Sequence, residues 1–222
     1  MSANVTTTPR RARTPEQKEF RRIQILEAAE KYFQDVGYEA FSMANLAKYA
    51  GVVKGTLYLY FTTREEVLIT LYNQSLIRWG DEFLRQLRPN MSDGAFASSL
   101  YTTAMDDGSF VPLLIRLEHV IEHNVAIDSL IESKRIFIVQ VDRLAEVAAP
   151  ALKLSRAQAS EVVRTMGVLL IGATRSDQGP SLEGETIPSD VQELIEQFSS
   201  QTLFVKNACR IIAGVRAEGT AE

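Results

Sequence analysis

Apolar side chains recur along this chain at intervals of three and four residues, which is the period of an amphipathic α-helix. The first stripe of this kind is predicted to face inward and contains Ile25, Leu26, Ala29, Tyr32 and Phe33. A helix start precedes it, because Thr14 can cap the chain, Pro15 suits the first helical position and Gln17 can close a capping box. Gly37 is expected to end this helix near Val36.

Residues 41–61 predict two short helices joined by a tight turn. Ser42 can cap the first helix, which has an apolar face, and Gly51 supplies the positive φ that the turn needs. Leu57 and Phe61 are expected to face inward on the second helix. The outward set suits a major groove, where it can contact base edges and phosphates, and consists of Lys54, Gly55, Thr56, Tyr58 and Tyr60.

The remaining chain is also predicted to be helical, so the fold class is all-α. A long helix begins at Thr63, with Glu66 completing a capping box, and runs to about Leu87. Further helices are expected over about 93–105, 112–124, 129–148, 155–173 and from 189 onward. Their predicted start signals are Ser92, Pro112, Ser129, Ser155 and Ser189, while Pro150 is expected to end one region and residues 175–188 to form an exposed loop.

The last predicted helix carries a heptad seam, in which apolar positions alternate spacings of four and three. Its members are Val191, Ile195, Phe198, Thr202, Val205, Cys209 and Ile212. Either this seam packs into the core of one chain, or it joins the helix containing residues 166–173, where Gly167 and Gly172 permit close approach, in a four-helix interface between two chains.

The charge is divided unevenly along the chain, whose net charge is −4. Residues 1–64 hold ten Lys or Arg and six acids, a net charge of +4, which leaves −8 for the remainder. A basic N-terminal part suggests contact with phosphate. Arg10, Arg11 and Arg13 either follow a phosphate track or minor groove, or belong to a plain solubilising tail.

Composition limits the cellular setting. The one cysteine, Cys209, excludes an internal disulfide and fits a reducing cytoplasm. The longest apolar stretch, residues 166–173, is too short to span a bilayer, and no apolar core follows the N-terminal arginines as a secretory signal requires. A cytoplasmic protein without a membrane partner is expected.

The stretch from about residue 21 to 71 resembles the DNA-binding domain of TetR-type transcriptional regulators. The residues that carry the resemblance are Gly37 to Ala40, Ser42, Leu46, Ala47, Ala50 to Val52, Lys54 to Tyr58, Tyr60 and Phe61. The sequence departs from the family pattern at Val53, where Ser or Thr is usual, at Ala44, where a basic residue is common, and at Arg64, which replaces a frequent Lys.

Because the long helix starts directly behind the two-helix unit, the domain boundary is expected near Thr62. An N-terminal arm and a three-helix helix-turn-helix DNA-binding domain then occupy residues 1–62, and a helical effector-binding and dimerisation domain occupies residues 63–222. The resemblance also implies a homodimer that binds a palindromic operator in double-stranded DNA, as a repressor released by a small-molecule effector. The expected DNA-contacting residues are Ser42, Lys54, Gly55, Thr56, Tyr58, Tyr60, Arg64, Arg10, Arg11 and Arg13. A regulator of the same fold that has no small ligand is the alternative.

The resemblance further implies a cavity among the central helices for a small molecule. Candidate lining residues are Trp79, Phe83, Met105, Phe110, His119, His123, Phe137 and Met166, although the apolar members also suit plain core packing. No sequence feature identifies the ligand, and the acids of this half either favour a cation or are surface charge.

His119-Val120-Ile121-Glu122-His123 matches the HxxEH pattern of inverted zinc peptidases. On a regular helix the two histidines would share a face, as zinc ligands must. A zinc hydrolase is therefore a second alternative, but no third ligand or substrate cleft is identifiable. No Gly-rich phosphate loop or activated nucleophile is recognisable either, so no enzymatic activity, metal or cofactor is predicted.

Overall fold

The computed structural model describes residues 14–178 and 186–218, and these residues form helices without any strand. The helices are α1 Pro15–Ala40, α2 Met43–Tyr49, α3 Lys54–Tyr58, α4 Arg64–Gln86, α5 Asp93–Asp106, α6 Phe110–Arg116, α7 Ile127–Leu152, α8 Arg156–Thr174, α9 Ser189–Gln197 and α10 Ser200–Glu218. A π-helical turn spans Leu117–Ile121, and 3₁₀ turns span Glu122–Asn124 and Arg175–Gln178. The all-α prediction is confirmed.

Local start signals explain most of the helix beginnings. Complete capping boxes form at Thr14 with Gln17 and at Ser155 with Gln158. Thr63 accepts a hydrogen bond from the Glu66 backbone, but the Glu66 carboxylate accepts from Thr62 rather than closing the box. Two predicted starts were wrong: α7 begins at Ile127 instead of after Ser129, and α9 is preceded by Pro188 and includes Ser189. Neither helix has a side-chain cap.

The predicted helix ends at Gly37 and Pro150 differ from the observed ones. Gly37, with φ of 72°, interrupts α1 where the sequence predicts its end. Pro150 does not end α7, which continues to Leu152 and stops at Lys153 in the left-handed conformation. Because Pro150 lies in the last turn, its missing N–H removes a hydrogen bond only where the helix is already ending.

The predicted continuous helix at the C-terminal end was wrong, since the chain breaks at Phe198 and Ser199 between α9 and α10. The Ser199 hydroxyl accepts a hydrogen bond from the Thr202 backbone at 3.4 Å and so begins a new helix. The buried stripe of α10 is also different from the heptad seam, with which it shares only Ile212, and comprises Phe204, Ala208, Ile212 and Val215.

One hydrophobic core runs through the molecule. Helices α1, α2 and α3 pack together at the N-terminal end, and α4 leads from them into the body, where it contacts α5, α6 and α7. Helices α7, α8 and α10 pack in sequence, and α10 also lies against α5. This arrangement leaves α3 on the surface at one end and forms a cavity between α4, α5, α6, α7 and α8.

Candidate DNA-contacting surface and ligand cavity

The helix-turn-helix is held by a small set of local contacts. The Ser42 hydroxyl accepts from the Asn45 backbone at 3.3 Å and caps α2, while Gly51, with φ of 64°, makes the turn. Val53 begins α3 without a side-chain cap. Leu57 is completely buried and anchors α3 to the core. The helix residues that do not pack inward are left facing solvent.

The outward face of α3 largely matches the prediction. Lys54, Gly55 and Tyr58 are exposed, and the Lys54 Nζ lies 5.8 Å from the centre of the Tyr58 ring. Thr56 and Tyr60 are half-buried. The surface therefore combines a cation, a phenol and a glycine that lets a backbone approach closely.

Two apolar residues at the ends of α3 were missed by the sequence analysis. Val53 is 74% exposed and Leu59 is 72% exposed. Such side chains can contact the methyl group of thymine in the major groove. A signal for Val53 was present, because an apolar residue at a helix start without a capping function has no evident local role.

Arg64 does not lie with these exposed residues. Its guanidinium donates to the Tyr38 hydroxyl at 2.9 Å and to Glu65 at 2.9 Å, and its centre lies 4.7 Å from the Tyr38 ring centre. Burial raises the pKa of Tyr38, and the positive charge of Arg64 opposes that effect. Arg64 thus joins α1 to α4, and its placement favours a structural role over contact with DNA.

The predicted arm residues Arg10, Arg11 and Arg13 lie outside the described residues. Without the arm, residues 14–64 contain seven Lys or Arg and six acids, a net charge of +1. Most of the excess positive charge in the N-terminal part therefore belongs to the arm.

A cavity of about 50 Å³ lies among the central helices. Trp79, Phe110, Phe137 and Met166 line it, so four of the proposed lining residues meet in space. Phe83 is buried behind Trp79, whose ring is 5.9 Å away, and does not line the cavity. Further lining residues that the sequence did not single out are Tyr72, Leu76, Leu100, Leu114, Gln140, Val141, Leu144, Val163, Arg164, Gly167 and Leu170.

Three other proposed lining residues lie elsewhere. Met105 is 44% exposed on α5, and His119 and His123 are both exposed. The sequence predicted a regular helix here, but the π-helical turn at Leu117–Ile121 and the following 3₁₀ turn change the spacing of side chains around the axis. None of the three residues lines the cavity, so their assignment was wrong. The irregular turns account for the two histidines, whereas Met105 lies on an exposed part of the regular helix α5.

Four nearly parallel aromatic rings form one wall of the central region. The Tyr72 and Phe110 ring centres are 6.2 Å apart, those of Phe110 and Trp79 are 4.7 Å apart, and Phe83 continues the stack behind Trp79. The Trp79 indole nitrogen donates to the Thr103 hydroxyl at 3.2 Å, which fixes the orientation of its ring. The wall is therefore flat and ordered.

The cavity is connected to the helix-turn-helix by a polar cluster. Phe110 lines the cavity and begins α6, and its backbone donates to the Asp107 carboxylate at 2.9 Å. Arg78 of α4 donates to the same carboxylate at 3.1 Å and also pairs with Glu30 of α1. We refer to Glu30, Arg78 and Asp107 as the junction cluster. It links three parts of the chain through a single guanidinium.

The apolar surface of the C-terminal helices is incompletely covered in one chain. Val168 of α8 is 72% exposed. On α9, Leu194 is 54% exposed, and Phe198, the residue directly after α9, is 55% exposed. Gly172 lies exposed one turn after Val168, so a second helix can approach α8 closely.

No group of three His, Cys, Asp or Glu side chains within residues 14–178 and 186–218 is placed to hold a metal ion. Glu122 of the HxxEH sequence is instead paired with Lys134 at 2.7 Å. None of the described helices combines the length and the apolar character that a membrane span requires.

Both parts of the chain match models of known protein families. Residues 25–71 match the model of bacterial regulatory proteins of the tetR family, and residues 73–216 match the model of the tetracyclin repressor-like C-terminal domain. The fatty acid metabolism regulator protein of Bacillus subtilis is 32% identical over 81 residues, 36% of this chain and 40% of that protein. The regulator EthR of Mycobacterium tuberculosis is 33% identical over 93 residues, 41% of this chain and 43% of EthR. The chain therefore matches less than half the length of each relative.

Solved structures show the same fold over most of the chain. The fatty acid degradation regulator FadR from Bacillus halodurans has a TM-score of 0.53 and 18% identity, covering 86% of this chain and 97% of FadR. RolR in complex with resorcinol has a TM-score of 0.57 and 16% identity, covering 92% of this chain and 95% of RolR. Since the second family model alone spans more than half of the sequence, the chain belongs to the TetR family of bacterial regulatory proteins.

Proposed function

We propose that this protein is a transcriptional repressor that binds a palindromic DNA operator as a homodimer and is released by a small-molecule effector. The observation that carries the proposal is the placement of α3. Its Leu57 is buried, while Lys54 and Tyr58, one turn apart, remain exposed. A short exposed helix of this kind fits the major groove, and the exposed residues, including Val53 and Leu59, are the proposed base and backbone contacts.

Dimerisation is proposed through α8 and the last helices, α9 and α10. Val168 and Gly172 on α8, together with the exposed apolar residues of α9, form a surface that a second copy would cover. Two α3 helices about 34–36 Å apart, one DNA turn, would then match the two halves of a palindrome.

The cavity supports a small-molecule effector. Its volume of about 50 Å³ is about a third of that of a cavity that accepts benzene, roughly 150 Å³. An effector must therefore displace lining side chains when it enters. The complex of RolR with resorcinol shows that a neighbour of this fold binds a small molecule, which supports the same role here over a regulator without a ligand.

The junction cluster provides a route from the cavity to the DNA-contacting helices. A ligand that displaces Phe110 also displaces the start of α6, which the Asp107 carboxylate holds. Asp107 and Glu30 share Arg78, so movement of α6 alters the position of α1 relative to α4. The ligand lowers DNA affinity only to the extent that it prefers the displaced arrangement.

The first test is selection of genomic DNA fragments on the purified protein at two salt concentrations. We expect one palindromic sequence to be enriched and to remain enriched at the higher salt, because base contacts survive when phosphate contacts are screened. Salt-sensitive retention of all fragments would contradict operator recognition.

The dimer is tested with Val168→Glu, which places a charge on the exposed surface of α8. We expect this variant to elute as a monomer in size-exclusion chromatography and to lose operator affinity while keeping its helical circular dichroism. Ile138→Glu is the matched control, since Ile138 is 58% exposed on α7. A dimeric Val168→Glu protein, or equal effects of both substitutions, would refute the proposed interface.

A further inference from the structure

The polar side chains that line the cavity indicate which chemical class of ligand it can bind. This inference rests on the proposed function, because it concerns the effector. Among the described residues that line the cavity, Arg164 carries the only formal charge, and no carboxylate is present. The acids of this half therefore do not favour a cation at this place.

Gln140 supplies a hydrogen-bond donor at the cavity wall. It is 4% exposed and lies against Gly80 of α4. Its Oε1 accepts from Arg143 at 2.9 Å, but its Nε2 has no hydrogen-bond partner among the described residues. None of the side-chain nitrogen and oxygen atoms in the described residues is both fully buried and without a partner. This amide nitrogen therefore borders open space, where a ligand acceptor can take its hydrogen bond.

Arg164 supplies a positive charge at the same wall. It lies on α8, which packs directly against the α7 helix of Gln140. The residue is exposed, so its charge is solvated, and its guanidinium makes no ion pair or hydrogen bond with the part of the chain that the structure describes. A guanidinium presents parallel N–H donors that match the two oxygens of a carboxylate.

The aromatic residues of the lining favour an aromatic ring. Trp79 and Phe110 present flat, nearly parallel rings, and Phe137 faces the cavity from α7 while remaining 38% exposed. Turning Phe137 outward enlarges the cavity without disrupting the buried core. A cavity of roughly 150 Å³ accepts benzene, so a single ring needs far less rearrangement than a long acyl chain.

The Tyr72 hydroxyl adds a second polar position to the lining of the cavity. The side chain is 1% exposed, and its hydroxyl has no hydrogen-bond partner among the described residues. Burial, reinforced by Glu122 and Glu118, raises the pKa of Tyr72, so the phenol stays protonated. The negative charges of Glu118 and Glu122 disfavour a ligand carboxylate beside Tyr72, which leaves Arg164 as its partner.

We propose that the effector is a compact aromatic carboxylate whose ring stacks beside Trp79 and Phe110 and whose carboxylate binds Gln140 and Arg164. The ring supplies the apolar contact and displaces Phe137. The carboxylate accepts a hydrogen bond from the amide of Gln140 and pairs with the guanidinium of Arg164.

The test uses 3-phenylpropionate, its neutral amide, 3-phenylpropylamine and octanoate as probes on the full chain. Trp79 is the single tryptophan of the protein, so its fluorescence reports directly on the cavity. We expect 3-phenylpropionate to quench Trp79 with a Kd at least tenfold lower than that of the other three probes. Tighter binding of the amine or octanoate, equal binding of acid and amide, or no quenching by any probe would overturn the proposal.

Substitutions locate the carboxylate. Arg164→Gln is expected to raise the Kd of 3-phenylpropionate at least tenfold while leaving that of the amide unchanged. Arg175→Gln, on an exposed residue that does not line the cavity, is the matched control and should leave both unchanged. Gln140→Leu should weaken the binding of both 3-phenylpropionate and its amide, because both carry an acceptor oxygen. Retained discrimination between acid and amide in Arg164→Gln would refute the assignment of the charge.

Operator affinity is measured on the same preparations, so that two failures can be told apart. If 3-phenylpropionate binds as expected and leaves operator affinity unchanged, the cavity chemistry stands and the effector role fails. If the protein binds its operator but prefers the amine or octanoate, the regulator role stands and the proposed ligand class fails.

Discussion

The helix-turn-helix and the cavity differ in how far apart their residues lie in the sequence. The contacts that shape the helix-turn-helix come from the consecutive residues 42–61, whereas the cavity draws its wall from residues between 72 and 170. A contiguous motif can be recognised from local signals such as the Ser42 cap and the Gly51 turn. A wall assembled from five helices depends on how those helices rotate against one another, which local signals do not specify.

The junction between these two regions is polar and differs in composition from both of them. Each region has an apolar interior, but Glu30, Arg78 and Asp107 connect them by ion pairs beside an open polar groove. Apolar cores resist gradual deformation because they are close-packed. A solvent-accessible ion-pair cluster exchanges partners at low cost, so movement between the regions is expected here.

The largest expected effect is on the stability of the helix-turn-helix. Leu57→Ala removes a completely buried side chain from α3 and should lower the free energy of unfolding by about 2–5 kcal/mol. Urea unfolding followed by circular dichroism measures it, and operator binding should fall in parallel. Leu59→Ala is the control two residues away, where 72% exposure predicts a change within about 0.5 kcal/mol. Equal losses in both variants would contradict the described orientation of α3.

Lys54→Ala should change DNA affinity without changing the fold, because Lys54 is exposed. We expect operator affinity to fall several-fold, and the slope of log affinity against log salt to decrease by about 0.9 for each protomer. Titrations at several salt concentrations measure this. Lys31→Ala, an exposed lysine on α1, is the control, and an unchanged salt slope in Lys54→Ala would remove Lys54 from the DNA contacts.

Removing one helix cap in each region compares the two regions directly. Ser42→Ala removes the cap of α2 and Ser92→Ala removes the cap of α5, each a hydrogen bond of 3.2–3.3 Å. Each should cost about 1 kcal/mol of unfolding free energy. Only Ser42→Ala should also weaken operator binding, since α2 supports α3. Equal DNA affinity in the two variants would show that the α2 cap does not position α3.

The smallest expected stability change concerns the junction cluster. Arg78 is 45% exposed, so Arg78→Gln should lower the unfolding free energy by less than about 1 kcal/mol. Its main effect should be on coupling, because the ratio of operator affinities with and without effector should shrink toward one. Arg85→Gln, on an exposed ion pair of the same helix, is the control. An unchanged ratio in Arg78→Gln would exclude the proposed route.

The same contrast separates correct from incorrect predictions in the cavity. Trp79 and Phe110 were assigned correctly as lining residues because large aromatic side chains in a helical body are usually central. Phe83 has the same character but lies one turn further along α4, behind Trp79. His119 was misplaced because a π-helical turn rotates the chain, and no residue pattern announces that turn. Gln140 and Arg164 were missed because a single polar residue on a helix does not reveal what it faces.

The sequence alone determined the all-α class, the main cap residues, the buried and exposed faces of α3 and the family resemblance. These features depend on hydrogen bonds and apolar periodicity within a few residues, so they can be inferred without knowing the rest of the chain. The domain boundary near residue 62 and the DNA contacts themselves remain predictions.

Only the tertiary structure decided that Arg64 braces Tyr38, that α9 and α10 are separate helices, and that Gln140 and Arg164 meet the aromatic wall. Each of these depends on the partner that packing brings to a side chain. Phe204 and Ala208 are buried because α10 lies against α5 and α8, and that contact, rather than the heptad spacing, selected which face of the helix turns inward.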